Sequence, residues 1–409
     1  MKLLQKIRKH GLSMLGIMVV LFCVSMLFAS KASADTVGDW QGAKEAIIKA
    51  YQSYETEVDV KKYKLNYETE YEELKAMMGE VVNETPYIFY AATSYTVSRN
   101  SKTNRIVKIG LGYTDEYKKE DGTIREKKII NTRIKLDAAI NKALECVDSS
   151  MTKIEKALVL HDYLVKNTTY VKDSTKPFRL TEVGVFLKNK ANCQGYSLAY
   201  AILMEKVGIP VDYVSSEEMS HMWNIIKIGG QWYHVDVTWD DPVDAYKNKD
   251  QYGVVKHNNF LCSSAQFEKM GHHDFDTTLA TSTKHDKKYW KNINSAIHYV
   301  DGKWLYMTKK GIVERTKLVG GEKEVLYNVT GSNLVQKDEN TYYFIAYNSV
   351  YLYDYEANSA TQEWKATSKY ADEYSLIQIK YQDGYVYYRM LFEEELISGK
   401  LLTNEDGSI

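Results

Sequence analysis

Proline is nearly absent: four occur in 409 residues, so the chain has no proline-rich linker or stalk. Cysteine is as scarce. Only Cys146, Cys193 and Cys262 lie beyond the N-terminal apolar run that holds Cys23. Three thiols make no disulfide scaffold, and an odd number leaves at least one free. Without close spacing they do not read as a zinc site either. No glycine-rich phosphate loop is present. Beyond the first thirty-odd residues no stretch is apolar enough to cross a bilayer. Excess positive charge is also missing. Taking away residues 1–34 removes five of the 53 Lys and Arg and none of the 54 Asp and Glu, which leaves 48 against 54 and a net charge of −6. That balance offers nothing to nucleic acid or to anionic lipid. Nothing in these patterns calls for a cofactor or a metal.

What is present begins with an export signal. Lys2, Lys6, Arg8 and Lys9 form a basic start, an apolar run extends from Leu12 to Ala29, and Ala32-Ser33-Ala34 is a small-residue cleavage site. The expectation is a secreted or cell-surface protein, signal peptide 1–34; an uncleaved anchor is the alternative, since the run has about the length of a membrane span. The length predicts two or three domains. Residues 35–129 read as an N-terminal α+β segment, helical over 38–82 and with strands at 92–98 and 105–113. A charged loop, 115–128, leads to amphipathic helices from Asp137 to Cys146 and from Lys153 to Asn167. A further helix spans Asn192 to Gly208, with strands expected at 211–215, 221–228 and 231–239. A helix before antiparallel strands predicts an α+β core over 130–275.

From residue 285 to 409 the texture becomes tyrosine-rich and β-like. Trp304-Leu305-Tyr306, Tyr342-Tyr343-Phe344 and Tyr385-Val386-Tyr387-Tyr388 recur after short polar turns, at a period near forty. That period suggests propeller-like blades, but three are too few to close a propeller, so an open sheet or small sandwich is the safer expectation.

The chemistry concentrates in 44 residues. Cys193 sits where the helix starts, and there the unpaired N–H groups and the helix dipole favour a thiolate. If Gly229-Gly230 makes a two-residue turn, its glycines supply the positive φ, Trp223 lies opposite Asp236, and His221 opposite Thr238. His221 and Asp236 then share a face as diagonal neighbours. A carboxylate so placed holds an imidazole in one tautomer and leaves the other nitrogen for a thiol. His234 shares that face and is a rival base. His272-His273-Asp274 reads as a solvated polar loop. Trp223, Trp232 and Trp239 read equally as cleft lining or as core.

The runs Ala191-Asn192-Cys193-Gln194-Gly195-Tyr196-Ser197, His221-Met222-Trp223-Asn224 and Trp232-Tyr233-His234-Val235-Asp236-Val237-Thr238-Trp239 resemble the transglutaminase-like superfamily. His161-Asp162-Tyr163-Leu164, followed by Thr169-Tyr170, looks like the family's lead-in to the catalytic loop. The resemblance covers roughly residues 130–265 and is of the exported Gram-positive type. It implies a papain-like core and a triad with Cys193 as nucleophile, His221 as base and Asp236 as orienting carboxylate. It also implies acyl transfer or hydrolysis at amide or peptide bonds of a protein or peptide substrate, through a thioester. No calcium loop of the animal enzymes is seen. Two other readings stay open: a cysteine peptidase acting on cell-wall peptides, and a non-catalytic surface-binding protein whose C-terminal aromatics stack on glycan.

Overall fold

The computed structural model describes residues 38–172, 175–243, 251–366, 374–392 and 395–409; the expected signal, 1–34, lies outside them. Among the described residues no helix is long and apolar enough to cross a membrane. The chain forms two compact units. The first takes Met1–Leu144, Val171–Ile225 and His272–Asp276; the second takes Glu145–Tyr170, Ile226–Gly271 and Thr277–Ile409. Residues 130–275 thus contribute to both.

In chain order the first elements are α1 (Trp40–Gln52), β1 (Glu57–Asp59), α2 (Tyr71–Glu84), β2 (Ala91–Arg99), β3 (Ile106–Tyr113) and α3 (Glu126–Leu144). Next come α4 (Lys153–Asn167), β4 (Thr169–Tyr170), α5 (Glu182–Lys188), β5 (Lys190–Ala191) and α6 (Cys193–Lys206). β6 (Val211–Ser216), β7 (His221–Ile228), β8 (Gln231–Val235), α7 (Val237–Asp240), β9 (Phe260–Cys262) and α8 (Ser264–Lys269) follow.

In the first unit the helical leader is not continuous. Asp39 caps α1 by accepting from Gly42 N at 2.9 Å, and Trp40, Ala43, Ile47, Ala50 and Tyr51 bury one stripe of it. The chain then breaks for β1, which pairs with β3 (Val58 opposite Ile109), and β3 pairs with β2 (Val97 opposite Ile109). α3 begins at Glu126, well ahead of the expected Asp137, because Ile129 and Leu136 continue the buried stripe that ends in Ile140 and Ala143.

α6 is buried on almost every side, from Gly195 through Met204. Such a helix is a core element and needs apolar surroundings all round. Gly195 lets its start come close: a Cβ there would stand 2.6 Å from Arg179 O, 2.9 Å from Ala191 Cβ and 3.0 Å from Thr181 O. Gly195→Ala is expected to lower stability by about 1–3 kcal/mol, as overpacked sites do. A denaturant midpoint equal to that of the wild type would show that the α6 start has room.

In the second unit α4 opens on a capping box: Thr152 N donates to Glu155 Oε2 at 2.7 Å and Glu155 N to Thr152 Oγ1 at 3.4 Å. Gly229 (φ +58°) and Gly230 (φ +83°) join β7 to β8 in the left-handed turn expected of them. β8 pairs antiparallel with β9, Val235 opposite Phe260.

Among the described residues the tyrosine-rich region forms three antiparallel sheets, one per repeat in the manner of separate blades, and none closes into a barrel. β10 (His298–Val300), β11 (Lys303–Thr308), β12 (Gly311–Arg315) and β13 (Lys323–Asn328) make the first. β14 (Gly331–Gln336), β15 (Thr341–Ala346), β16 (Ser349–Asp354) and β17 (Ser359–Lys365) make the second, and β18 (Tyr374–Gln382), β19 (Tyr385–Phe392) and β20 (Glu395–Leu402) the third. Each aromatic run is an interior strand: β11, β15 and β19. β15 shows why the sheets stack. Tyr342, Phe344 and Ala346 pack with Leu305 and Ile312 of the first sheet, whereas Tyr343 and Ile345 pack with Ile379 and Val386 of the third. The period-two alternation of a strand buries both of its faces.

Candidate active site

Cys193 is the first residue of α6 and is buried at 8% exposure, with Asn192 as the extended N-cap. Asn192 N donates to Arg179 O at 3.0 Å, which ties the helix start to the preceding loop. One turn on, Ser197 shares the face of Cys193, four residues apart. Its hydroxyl donates to Met222 O at 3.1 Å. That bond turns the Cys193 face of α6 toward the end of β7 that carries His221.

On β7, His221 and Trp223 are two residues apart and lie on one face, with ring centroids 5.6 Å apart. The segment 272–276 covers them. His272 sits 6.1 Å from His221 and 5.1 Å from Trp223, and Phe275 packs edge-on against Trp223 at 5.4 Å. His272 is therefore buried, at 1% exposure, and not part of a solvated loop; His273 beside it is exposed. Trp223 is core, at 1% exposure, while Trp239 stays open to solvent at 38%.

A cavity of about 440 Å³ opens beside α6. Gln194 and Leu198 line it from the helix, and Ile88, Phe89, Phe178 and Val183 line it from the rest of the first unit. Gln194 Nε2 donates to Asn83 Oδ1 at 3.3 Å across its wall. Among the described residues no basic side chain lines it.

Asp236 belongs to the second unit and is fully buried. The strand expected over 231–239 stops at Val235, because the Asp236 carboxylate accepts from Trp239 N at 3.1 Å and caps the single turn of α7. Thr238, expected opposite His221, sits in that turn. His234, the rival base, is also fully buried; its Nε2 meets Ser264 Oγ at 3.0 Å and its ring stacks on Phe267 at 4.6 Å. Those contacts give it a packing role.

The other two thiols are poor nucleophiles. Cys146 is exposed as a residue, yet its sulfur turns in toward Val159 O at 3.8 Å, and burial pushes the thiol up to about 11. Cys262 is likewise pushed up to about 11 by burial, against the opposing pull of Lys291 Nζ at 2.8 Å. Cys193 and Cys262 are both free thiols.

The second unit also holds a buried charged network that sequence reasoning missed. His161 Nδ1 meets Asp162 Oδ1 at 2.9 Å and its Nε2 meets Asp240 Oδ2 at 3.2 Å. His257 Nε2 meets Asp162 Oδ1 at 3.0 Å, and Ile297 N donates to Asp162 Oδ2 at 3.0 Å. Burial opposes charge on His161, but the hydrogen bonds and charges of Asp162 and Asp240 outweigh it and raise its pKa to about 9. Burial also works against the Asp162 carboxylate, which His257 and His161 nevertheless hold well below the usual range. His161, Asp162 and His257 place ligand atoms within 4.8 Å of one another, the spacing of a metal site, but here those atoms are used in hydrogen bonds to one another.

Residues 140–237 match the family model of the transglutaminase-like superfamily. A crystal structure of a TGase is similar over 36% of this chain and 44% of its own, at 18% identity and a TM-score of 0.24. An S. cerevisiae Dbp5 variant bound to Nup159, a Gle1 variant, IP6 and ADP is similar over 45% of this chain and 42% of its own, at 7% identity and a TM-score of 0.22. The chain spans less than half the length of either. No curated protein sequence matches it. The matched segment contains Cys193, His221 and Asp236, and residues 140–237 form a transglutaminase-like core, the fold of cysteine acyltransferases and peptidases.

Proposed function

We propose that this chain is an exported cysteine enzyme that transfers or hydrolyses acyl groups of amide or peptide bonds in protein or peptide substrates. The observation that carries the reading is the placement of Cys193. It starts a buried helix whose same face is tied, through Ser197, to the strand end bearing His221. His221 takes the Sγ proton, and the thiolate attacks the substrate carbonyl. Backbone N–H groups at the start of α6 receive the developing oxyanion. The C–N bond breaks, the amine leaves with the proton from His221, and the acyl group remains on sulfur as a thioester. Water or a second amine then gives its proton to His221, attacks the thioester and returns the free thiol. Asp236 orients His221 in both halves. The cavity beside Gln194 is lined by apolar side chains together with Asp115, Glu116 and Glu182, and has the size to take part of the substrate. The basic start, apolar run and Ala32-Ser33-Ala34 support export.

Iodoacetamide labelling, read residue by residue against pH, tests the nucleophile. Cys193 is expected to react fastest, while Cys146 and Cys262, both pushed up to about 11 by burial, stay slow. Equal rates at the three sulfurs would remove Cys193 from its role. Product analysis with and without an added primary amine then separates hydrolysis from transfer.

A further inference from the structure

Asp236 stands on one turn of helix, and a helix of that length does not persist alone. Something outside α7 must hold it. Asn259 grips both ends of the turn: its carbonyl accepts from Asp236 N at 3.1 Å, while its N and Nδ2 donate to Asp240 Oδ1 at 3.0 and 2.9 Å. Asp240 N closes the turn on Asp236 O at 3.2 Å. From α4, His161 Nε2 holds the other Asp240 oxygen at 3.2 Å. Behind His161, Asp162 is fixed by Ile297 N and His257, and His257 Nδ1 meets Ile293 O at 3.0 Å. All of these side chains are buried, at 5% exposure or less.

We propose that His161 and Asn259, acting through Asp240, are positioning residues that hold Asp236 in place for the reaction. The inference rests on the reading of Asp236 as the carboxylate that orients His221. Stability alone does not account for the network: burying charges is costly, and well-packed apolar residues of the same volume commonly serve as well or better. The clamp also closes on a particular place, the peptide of Asp236 and the far end of its turn. A displacement there of a fraction of an ångström would misdirect the carboxylate while leaving substrate contacts elsewhere unchanged.

Two substitutions of one residue separate positioning from stapling. Glutamine at position 161 puts its amide nitrogen near the place of Nε2 and keeps a donor for Asp240; asparagine puts it near Nδ1 and keeps a donor only for Asp162. Both lose the imidazolium charge, and both are expected to lose similar thermal stability. With p-nitrophenyl acetate as probe, His161→Gln is expected to keep kcat within about threefold of the wild type, whereas His161→Asn loses about tenfold or more at a KM within about twofold. Equal kcat in the two variants overturns the proposal and leaves a structural staple. Should His161→Asn fail to fold, Asn259→Ala is read instead: a fall in kcat of about tenfold at unchanged KM supports the clamp, and unchanged kcat overturns it. Cys193→Ala is assayed beside them. Turnover in that variant would bring down the reading of the site itself; its absence, with equal 161 variants, brings down only the positioning role.

Discussion

His221→Ala lowers steady-state turnover of p-nitrophenyl acetate by about 10³-fold or more, the scale of a lost general base in a nucleophile–base pair. Cys193→Ala abolishes it. Asp236→Asn costs less, about 10–10²-fold, because the residue orients the imidazole and does not itself move a proton. The ester is a suitable probe because its leaving group departs without help, so kcat reports removal of the acyl group, the step in which His221 takes a proton from water. Circular dichroism shows whether each variant is folded. A folded Asp236→Asn enzyme with wild-type kcat would remove the carboxylate from the mechanism.

The largest stability effect is expected at Asp162. Its carboxylate faces His161, His257 and Ile297 N, all out of water. Asp162→Ala leaves the charge on His161 with only Asp240 and strands the other donors, at a cost of about 3–5 kcal/mol in a denaturant titration. The sign of the pH dependence follows from the same contacts. His161 is raised from 6.5 to about 9, so its contribution is complete below pH 6.5 and is lost as pH rises through 9. That loss amounts to roughly 3 kcal/mol, since each pKa unit is about 1.4 kcal/mol. Asp162 is lowered, so its contribution is present above the ordinary carboxylate pKa near 4 and is lost as pH falls below it. Wild-type stability should therefore fall on both sides, and Asp162→Ala should flatten both limbs. A variant within 1 kcal/mol of the wild type at pH 7, by the same titration, would contradict the pairing.

The sequence was legible where local signals agree with the tertiary ones. Thr152 and Glu155 announce the start of α4, Gly229-Gly230 announces a turn with two positive φ angles, and the apolar run after Cys193 announces a buried helix. The aromatic runs of the C-terminal region marked interior strands, one in each sheet, although not how the sheets would stack. The end of β8 was not legible. Trp232 to Trp239 alternates well enough for a strand, and the capping bond from Asp236 to Trp239 N that ends it depends on geometry rather than on composition. His272 is hidden for a similar reason: beside His273 and Asp274 it looks solvated, and the rings of His221 and Trp223, about fifty residues earlier, give it a place in the interior. The charged network was visible in the sequence only as His161-Asp162 within an apolar helix. Its partners Asp240, His257 and Asn259 lie 78 or more residues away, beyond any periodicity.

The central claim is that the acyl group of a substrate passes through the sulfur of Cys193. Acid-quenching the enzyme early in a reaction with p-nitrophenyl acetate, then mapping its peptides by mass spectrometry, reads that claim directly. The account predicts an acetyl group on the peptide containing Cys193, removed by brief hydroxylamine treatment as a thioester is, and absent from Cys193→Ala. Sustained turnover with Cys193 unmodified, or with the acetyl group on Cys262 or a lysine as the turning-over intermediate, would contradict it.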